Sequence, residues 1–326
     1  MLSFSPAIPP RGDLDWCWYL RREGASGEAL ERALHDVGVL HPGGWADWQP
    51  SVMTNTGAPV EMLFTGHQSA LALRTEIDDP GKDPADRVAR ACALIARFGG
   101  EAPSHALREV ISTGQGAGSL RFGAWLGLQQ SDQKLTSTLF AEMPEGTGDL
   151  IPLLASDVLR PTLDRLADKI QLTMIAHETA TGDLSLYFKT ACAHSQIVPV
   201  LVTPARVSSD LLLNDIGVMV TAGAAFGTPR VQLSFCYTVH RDRPTPTLTL
   251  FVASQALFKN DAAIEMMVRG YPGNHMAAYA GLVEQLPTAA PGQTHHGNIG
   301  LRATGTECPV LSLGVAAPWD LPAELT

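Results

Sequence analysis

The sequence predicts an α+β fold: a ten-stranded antiparallel β/α barrel built from five hairpin-plus-helix repeats, with the helices outside and a solvent-accessible lumen inside. Three observations point there. Period-2 segments arrive in pairs, joined by short polar turns, five times along the 326 residues. One stave, "DLSLYFKT" (183–190), recurs in kind as "TSTLFAE" (136–142), "TLTLFVA" (247–253) and "VLSLGVA" (310–316), each a small hydroxyl residue, then Leu, then a residue of changing size. The polar faces of these strands carry Ser, Thr, Gly, Gln and Trp more than Lys or Glu, which suits an enclosed chamber better than an open sheet.

In chain order, residues 1–15 read as a loose tail, and "SGEALERALHDVGVL" (26–40) as a helix capped by Ser26. The hairpins follow as 59–65 with 70–77, 119–129 with 134–142, 169–177 with 183–189, 230–240 with 246–253, and 297–303 with 309–316. Their connections, "GHQS", "QSDQ", "ETATG", "RDRPT" and "TGTEC", have hairpin-loop chemistry. Helices are expected over 83–99, 149–169, 208–223, 260–270 and 275–286. Arg74, Phe140, Tyr187, Phe251 and Gly314 occupy matched stave positions roughly 50 to 65 residues apart, room for one hairpin and one or two helices. Alternation turns Ser185 and Tyr187 to the chamber and Leu184 and Leu186 to the helices. Within 119–129 the same rule sends Leu120, Phe122, Leu126 and Leu128 outward and Arg121 and Trp125 inward. The whole chain, 1–326, reads as one barrel domain.

Composition limits the function. The formal net charge of −10, with 23 Lys and Arg, argues against nucleic acid or an anionic membrane as partner. No run of about 18 apolar residues is present. Five scattered cysteines form no CxxC pair, so neither a disulfide framework nor a zinc knuckle is indicated, and a reducing cytoplasmic setting is expected. "GQGAG" (114–118) precedes a strand instead of linking strand to helix, which removes the dinucleotide and P-loop readings. His177 lacks a second His one turn on, His295 and His296 stand without companion acids in sequence, and no metal site is expected.

Several stretches resemble the ABBA-type aromatic prenyltransferases, whose barrel is called the PT barrel, and best the branch with the indole (dimethylallyltryptophan synthase-like) and cyanobactin enzymes. "SVMTNTGAPVEMLF" (51–64) is similar to the stretch around that branch's acidic residue, and "ALRTEIDDP" (72–80) to the strand after it. "PTLTLFVASQALFKNDAAIEMMVRGY" (246–271) resembles the family's strand and Asn-Asp helix start, and "HHGNIGLRATGTECPVLSLGVAAP" (295–318) its last hairpin. The likeness runs from about residue 28 to 320.

The resemblance implies transfer of an allylic group from a prenyl diphosphate to an indole-like small molecule or a peptide. That chemistry needs cations for the leaving diphosphate, aromatic faces to shield the allyl cation, and a carboxylate to orient or deprotonate the acceptor. Glu61 matches the acceptor-binding acid and Arg74 a family arginine. Phe140, Tyr187 and Phe251 stand where the family has cation-shielding tyrosines, with Trp125 on a neighbouring strand. Where the family has lysines two residues earlier, this chain has Thr138, Ser185 and Thr249, with Ser312 in the last repeat; hydroxyls bond a phosphate without neutralising it. Arg74, Arg121 and Arg302 are then the candidate anion-binding cations. On this resemblance no cofactor is expected and Mg²⁺ is not required. Two alternatives remain: a diverged barrel that catalyses a cyclisation or rearrangement without prenyl diphosphate, and a catalytically silent binding protein.

Overall fold

The computed structural model describes residues 20, 24–41, 44–66, 70–131, 134–190, 194–224, 233–271, 276–289 and 293–317. The tail expected at 1–15 lies outside them. A two-residue ladder, β1 (Leu40–His41) with β2 (Gly44–Trp45), precedes ten longer strands. These are β3 (Val60–Thr65), β4 (Leu71–Thr75), β5 (Ala124–Ser131), β6 (Lys134–Glu142), β7 (Ile170–Glu178), β8 (Leu184–Thr190), β9 (Leu233–Val239), β10 (Thr247–Ala253), β11 (His296–Ala303) and β12 (Val310–Ala316). All neighbours pair antiparallel, and β12 pairs with β3, so the ten strands close into a barrel. The five hairpins are those the alternation predicts.

Because each hairpin joins barrel neighbours, all five turns lie at one end of the barrel, and the helical connections leave from the other. Helix α1 (Ala25–Val37) precedes the barrel; α2 (Arg87–Arg97) and α3 (His105–Gln115) follow the first hairpin. Helices α4 (Ile151–Leu154) and α5 (Arg160–Leu166) follow the second, α6 (His194–Ala205) and α7 (Ser209–Ala224) the third, and α8 (Ser254–Leu257), α9 (Asp261–Gly270) and α10 (Ala277–Val283) the fourth. The outward strand residues make the core: Leu73, Leu126, Leu139, Leu186, Phe188, Phe235, Tyr237, Leu250, Ile299 and Leu311 are all buried under this jacket. Each such side chain stabilises the fold by roughly 1.5–3 kcal/mol. Tyr237 also donates its hydroxyl to the Leu201 carbonyl at 2.6 Å, tying β9 to α6.

Three sequence expectations change. Helix α1 begins at Ala25 with Gly24 in the capping position, so Ser26 lies inside the first turn and does not cap it. Helices α3, capped by the Ser104 hydroxyl on the Leu107 amide, and α6, with two internal prolines, carry weaker sequence signals and were not among the expected helices. Strand β5 starts at Ala124 instead of 119. Gly123 has φ +65°, and a Cβ there would meet the Pro84 carbonyl at 2.1 Å, so the chain turns where only glycine fits. The Glu142 carboxylate then accepts the amides of Arg121, Phe122 and Gly123 at 2.7–2.9 Å, folding 121–123 over the helical end of the barrel.

Candidate active site

The lumen holds a cavity of about 900 Å³, within the size range of small-molecule sites. Glu61, Arg74, Trp125, Thr138, Phe140, Ser185, Tyr187, Thr249, Phe251, Arg302 and Arg121 all line it. Alternation therefore places the strand residues of this set correctly. Arg121 reaches the cavity differently: it is an exposed residue of the 119–123 segment, not an inward stave residue. Phe122, expected to face the helices, lines the cavity and stacks on Trp125 with centroids 3.7 Å apart.

The lumen divides along its axis. Toward the helical end stand Glu61, Arg74, Trp125, Phe140 and Phe251; toward the hairpin end stand Arg302 and the hydroxyls of Ser185, Thr249 and Ser312. At the helical end Glu61, 1% exposed, pairs through Oε2 with the Arg74 guanidinium beside it on β4. Two glycines house that carboxylate. A Cβ on Gly314 would lie 2.1 Å from Glu61 Oε1, and one on Gly297 2.2 Å from it. This explains why the last stave has glycine where the others carry a side chain. Among the described residues neither Glu61 Oε1 nor Arg74 Nε has a hydrogen-bond partner, and both are buried.

Arg74 also lies over two rings, 5.0 Å from the Trp125 centroid and 5.8 Å from that of Phe140. The indole is fixed from behind: Trp125 Nε1 donates at 3.0 Å to Glu76 Oε1, which also accepts the Ser51 hydroxyl at 2.6 Å, while Glu76 Oε2 takes Arg87 Nη1 at 2.6 Å. Burial raises the Glu76 pKa above its ordinary value, against the pull of these donors. From Phe140 the aromatic wall continues through Tyr187 at 6.3 Å to Phe251 at 6.0 Å. Glycines again make the room, since a Cβ on Gly127 would touch Phe140, and one on Gly300 would touch Phe251, at 2.8 Å.

Tyr187 joins the two halves. Burial raises its pKa well above the usual phenol value, as does Cys236 on the adjacent strand, while Arg74 and Arg302 both act to lower it. The phenol therefore keeps its proton and remains a donor between two guanidiniums. Burial pushes the Cys236 thiol up to about 12, so it sits in the wall as an inert neutral group. Arg302 pairs in register with Thr249. Ser185 Oγ and Thr238 Oγ1 lie 2.8 Å apart, and Thr65 donates to Ser312 Oγ at 3.4 Å, so hydroxyls bond hydroxyls around this half. Lys189, two residues past Tyr187, lines the helical end and is exposed; the same alternation that placed Tyr187 would have found it. Among the described residues no group of three or more His, Cys, Asp or Glu is placed to hold a metal ion. Asp261 does bond both His295 and His296, a pairing invisible at 34 and 35 residues' separation.

Solved structures of the same shape bear on this arrangement. The chain superposes on 5-dimethylallyl tryptophan synthase from Streptomyces coelicolor, solved with DMASPP and Trp, with a TM-score of 0.69 at 14% identity, over 93% of this chain and 96% of that one. The fold is the prenyltransferase barrel. The 6-dimethylallyltryptophan synthase from Micromonospora olivasterospora, also with DMASPP and Trp, gives 0.66 at 16% identity over 91% and 94%. AnaPT from Neosartorya fischeri gives 0.65 at 11% identity over 92% and 91%. No family model and no curated protein matches the sequence. Among the described residues no helix is long and apolar enough to cross a membrane.

Proposed function

We propose that this chain is an aromatic prenyltransferase that moves an allylic group from a prenyl diphosphate to an indole-like small molecule inside the barrel. The observation that carries the reading is the aromatic wall from Trp125 through Phe140 and Tyr187 to Phe251, standing between a buried carboxylate at one end and Arg302 with its hydroxyls at the other. The carbon–oxygen bond of the allylic diphosphate breaks with both electrons passing to the leaving oxygen. Arg74, Arg302 and the Tyr187 hydroxyl take up that charge, with Thr138, Ser185 and Thr249 donating hydrogen bonds. The ring faces of Phe140, Tyr187 and Phe251 shield the allyl cation. The acceptor carbon forms the new bond, and its proton passes to the Glu61 carboxylate. Metal ions have no part in this scheme, and the work of charge neutralisation falls to the arginines. The solved neighbours bound to DMASPP and Trp share only the fold with this chain, and support the reading as such.

A second reading, a cyclisation or rearrangement without diphosphate, is favoured by two observations: Arg74 is already paired with Glu61, and Ser or Thr stands at three stave positions where the resemblance calls for lysine. Titration calorimetry with dimethylallyl and geranyl diphosphates separates the two. Binding of either at micromolar concentration supports transfer; failure of both to bind removes it and leaves the second reading.

A further inference from the structure

The Glu61–Arg74 pair closes two subsites with one guanidinium. Glu61 Oε2 is taken by Arg74, and Oε1 is buried against Gly297 and Gly314 with no hydrogen-bond partner among the described residues, so while the pair stands the carboxylate's charge is committed to Arg74. The same guanidinium lies over Trp125, a ring face open to an acceptor once it is cleared, and over Phe140, one of the faces that would shield the allyl cation. Phe122 already fills one face of the indole at 3.7 Å. An acceptor therefore meets neither the carboxylate nor the free ring.

The pair is also under-satisfied. A guanidinium has five N–H donors, and among the described residues Arg74 Nε is buried with no acceptor, as Glu61 Oε1 is buried with no donor. Buried polar groups left in this condition favour rearrangement as soon as a better partner arrives. A partner's place is at hand: Arg74, Tyr187 and Arg302 line the same cavity, Arg302 in register with Thr249 at its hairpin end, so an anion beside that phenol meets a second arginine.

We propose that Arg74 is an anion-operated gate on the acceptor subsite. An anionic group entering beside Arg302 and Tyr187 draws the guanidinium off Glu61 and off the rings, and only then does an aromatic acceptor find its carboxylate and its stacking face. This rests on the transferase reading, in which the diphosphate supplies the anion. It makes the diphosphate the first ligand and the aromatic ring the second. It also makes Arg74 a specificity-determining residue, since a ring arriving without the anion is refused.

The test is calorimetric titration of indole into the full chain, with and without saturating inorganic diphosphate. Diphosphate should tighten indole binding roughly ten-fold or more, within the range usual for coupled sites, and indole should tighten diphosphate by the same factor. The double variant Arg74→Met, Glu61→Gln removes the gate without leaving a buried charge unpaired. With its fold verified by circular dichroism, it should bind indole with an affinity that no longer responds to diphosphate, since no guanidinium is left to be drawn off the rings. If diphosphate binds the wild type and indole affinity does not change, the gate is wrong and the transferase reading survives. If diphosphate does not bind at all, the transferase reading falls and the gate falls with it; a double variant whose indole affinity still rises with diphosphate overturns the gate and leaves the transferase reading standing.

Discussion

Replacing Gly314 by alanine puts a methyl group where Glu61 keeps its carboxylate. The new Cβ would stand 2.1 Å from Oε1, 2.3 Å from Cδ and 2.9 Å from Cγ of Glu61, against roughly 3.5 Å for an unstrained carbon contact. The carboxylate must move by about 1 Å or more, and its bond to Arg74 goes with it. Overpacking of this kind costs about 1–3 kcal/mol, and a lost hydrogen bond between charged groups about 1.5–3 kcal/mol. A total near 3–5 kcal/mol follows. With an unfolding entropy of about 2.1 cal/mol/K per residue over 326 residues, the melting temperature should fall by roughly 4–7 °C. Scanning calorimetry at one fixed rate reads this. In a Glu61→Ala background the atoms the methyl group would strike are absent, so the further loss from Gly314→Ala should shrink to about 1 °C, the two sites being strongly coupled. An equal loss in both backgrounds would refute the reasoning that Gly314 exists to house Glu61.

Three further outcomes are expected. Arg302→Ala removes the cation of the hydroxyl-lined half and should weaken inorganic diphosphate binding about 10- to 150-fold, the equivalent of one charge-assisted hydrogen bond, by calorimetry; unchanged affinity would place the anion elsewhere. Ser185→Lys installs a charge where the resemblance calls for one, and should strengthen that binding by about ten-fold or more, with weaker binding counting against an anion site at the hairpin end. Burial pushes the Asp261 carboxyl up, but its bonds to His295 and His296 outweigh this and hold its pKa well below the ordinary 3.8. Its folded-state pKa being depressed, the stability it contributes is present above the unfolded value and is lost as pH falls below about 4 toward the folded one. Asp261→Asn should therefore be less stable by about 2 kcal/mol at pH 7, and the gap to wild type in urea unfolding should narrow below pH 4; a gap independent of pH would contradict this.

The barrel was readable because its cause is local. A period of two decides which residues face helices, and polar turns mark each hairpin, so ten strands and most inward residues follow from alternation alone. The departures have physical reasons of longer range. Alternation extended β5 back to 119, but Gly123 and the reach of Glu142 across 19 to 21 residues bend that segment over the barrel and bring Phe122 inside. Arg74 and Glu61 were both visible as inward groups, but their pairing, which couples the two roles assigned to them, depends on the side-by-side register of β3 and β4. The sequence marks Gly314 as the matched position of the fifth stave; the geometry of Glu61 shows what the missing side chain makes room for. Trp125 was found, but Glu76, which orients it, gave no signal beyond an acidic residue near the end of the 70–77 strand segment.

The central claim is that the lumen ionises an allylic diphosphate and gives the allyl group to an aromatic ring. Incubation of the full chain with dimethylallyl diphosphate and L-tryptophan, followed by mass spectrometry of the tryptophan pool and assay of released diphosphate, tests it most directly. The account predicts tryptophan carrying one dimethylallyl group in place of a hydrogen, with equimolar diphosphate, and loss of both on Arg302→Ala. Release of diphosphate without an alkylated product, or no turnover while both compounds bind, would contradict it.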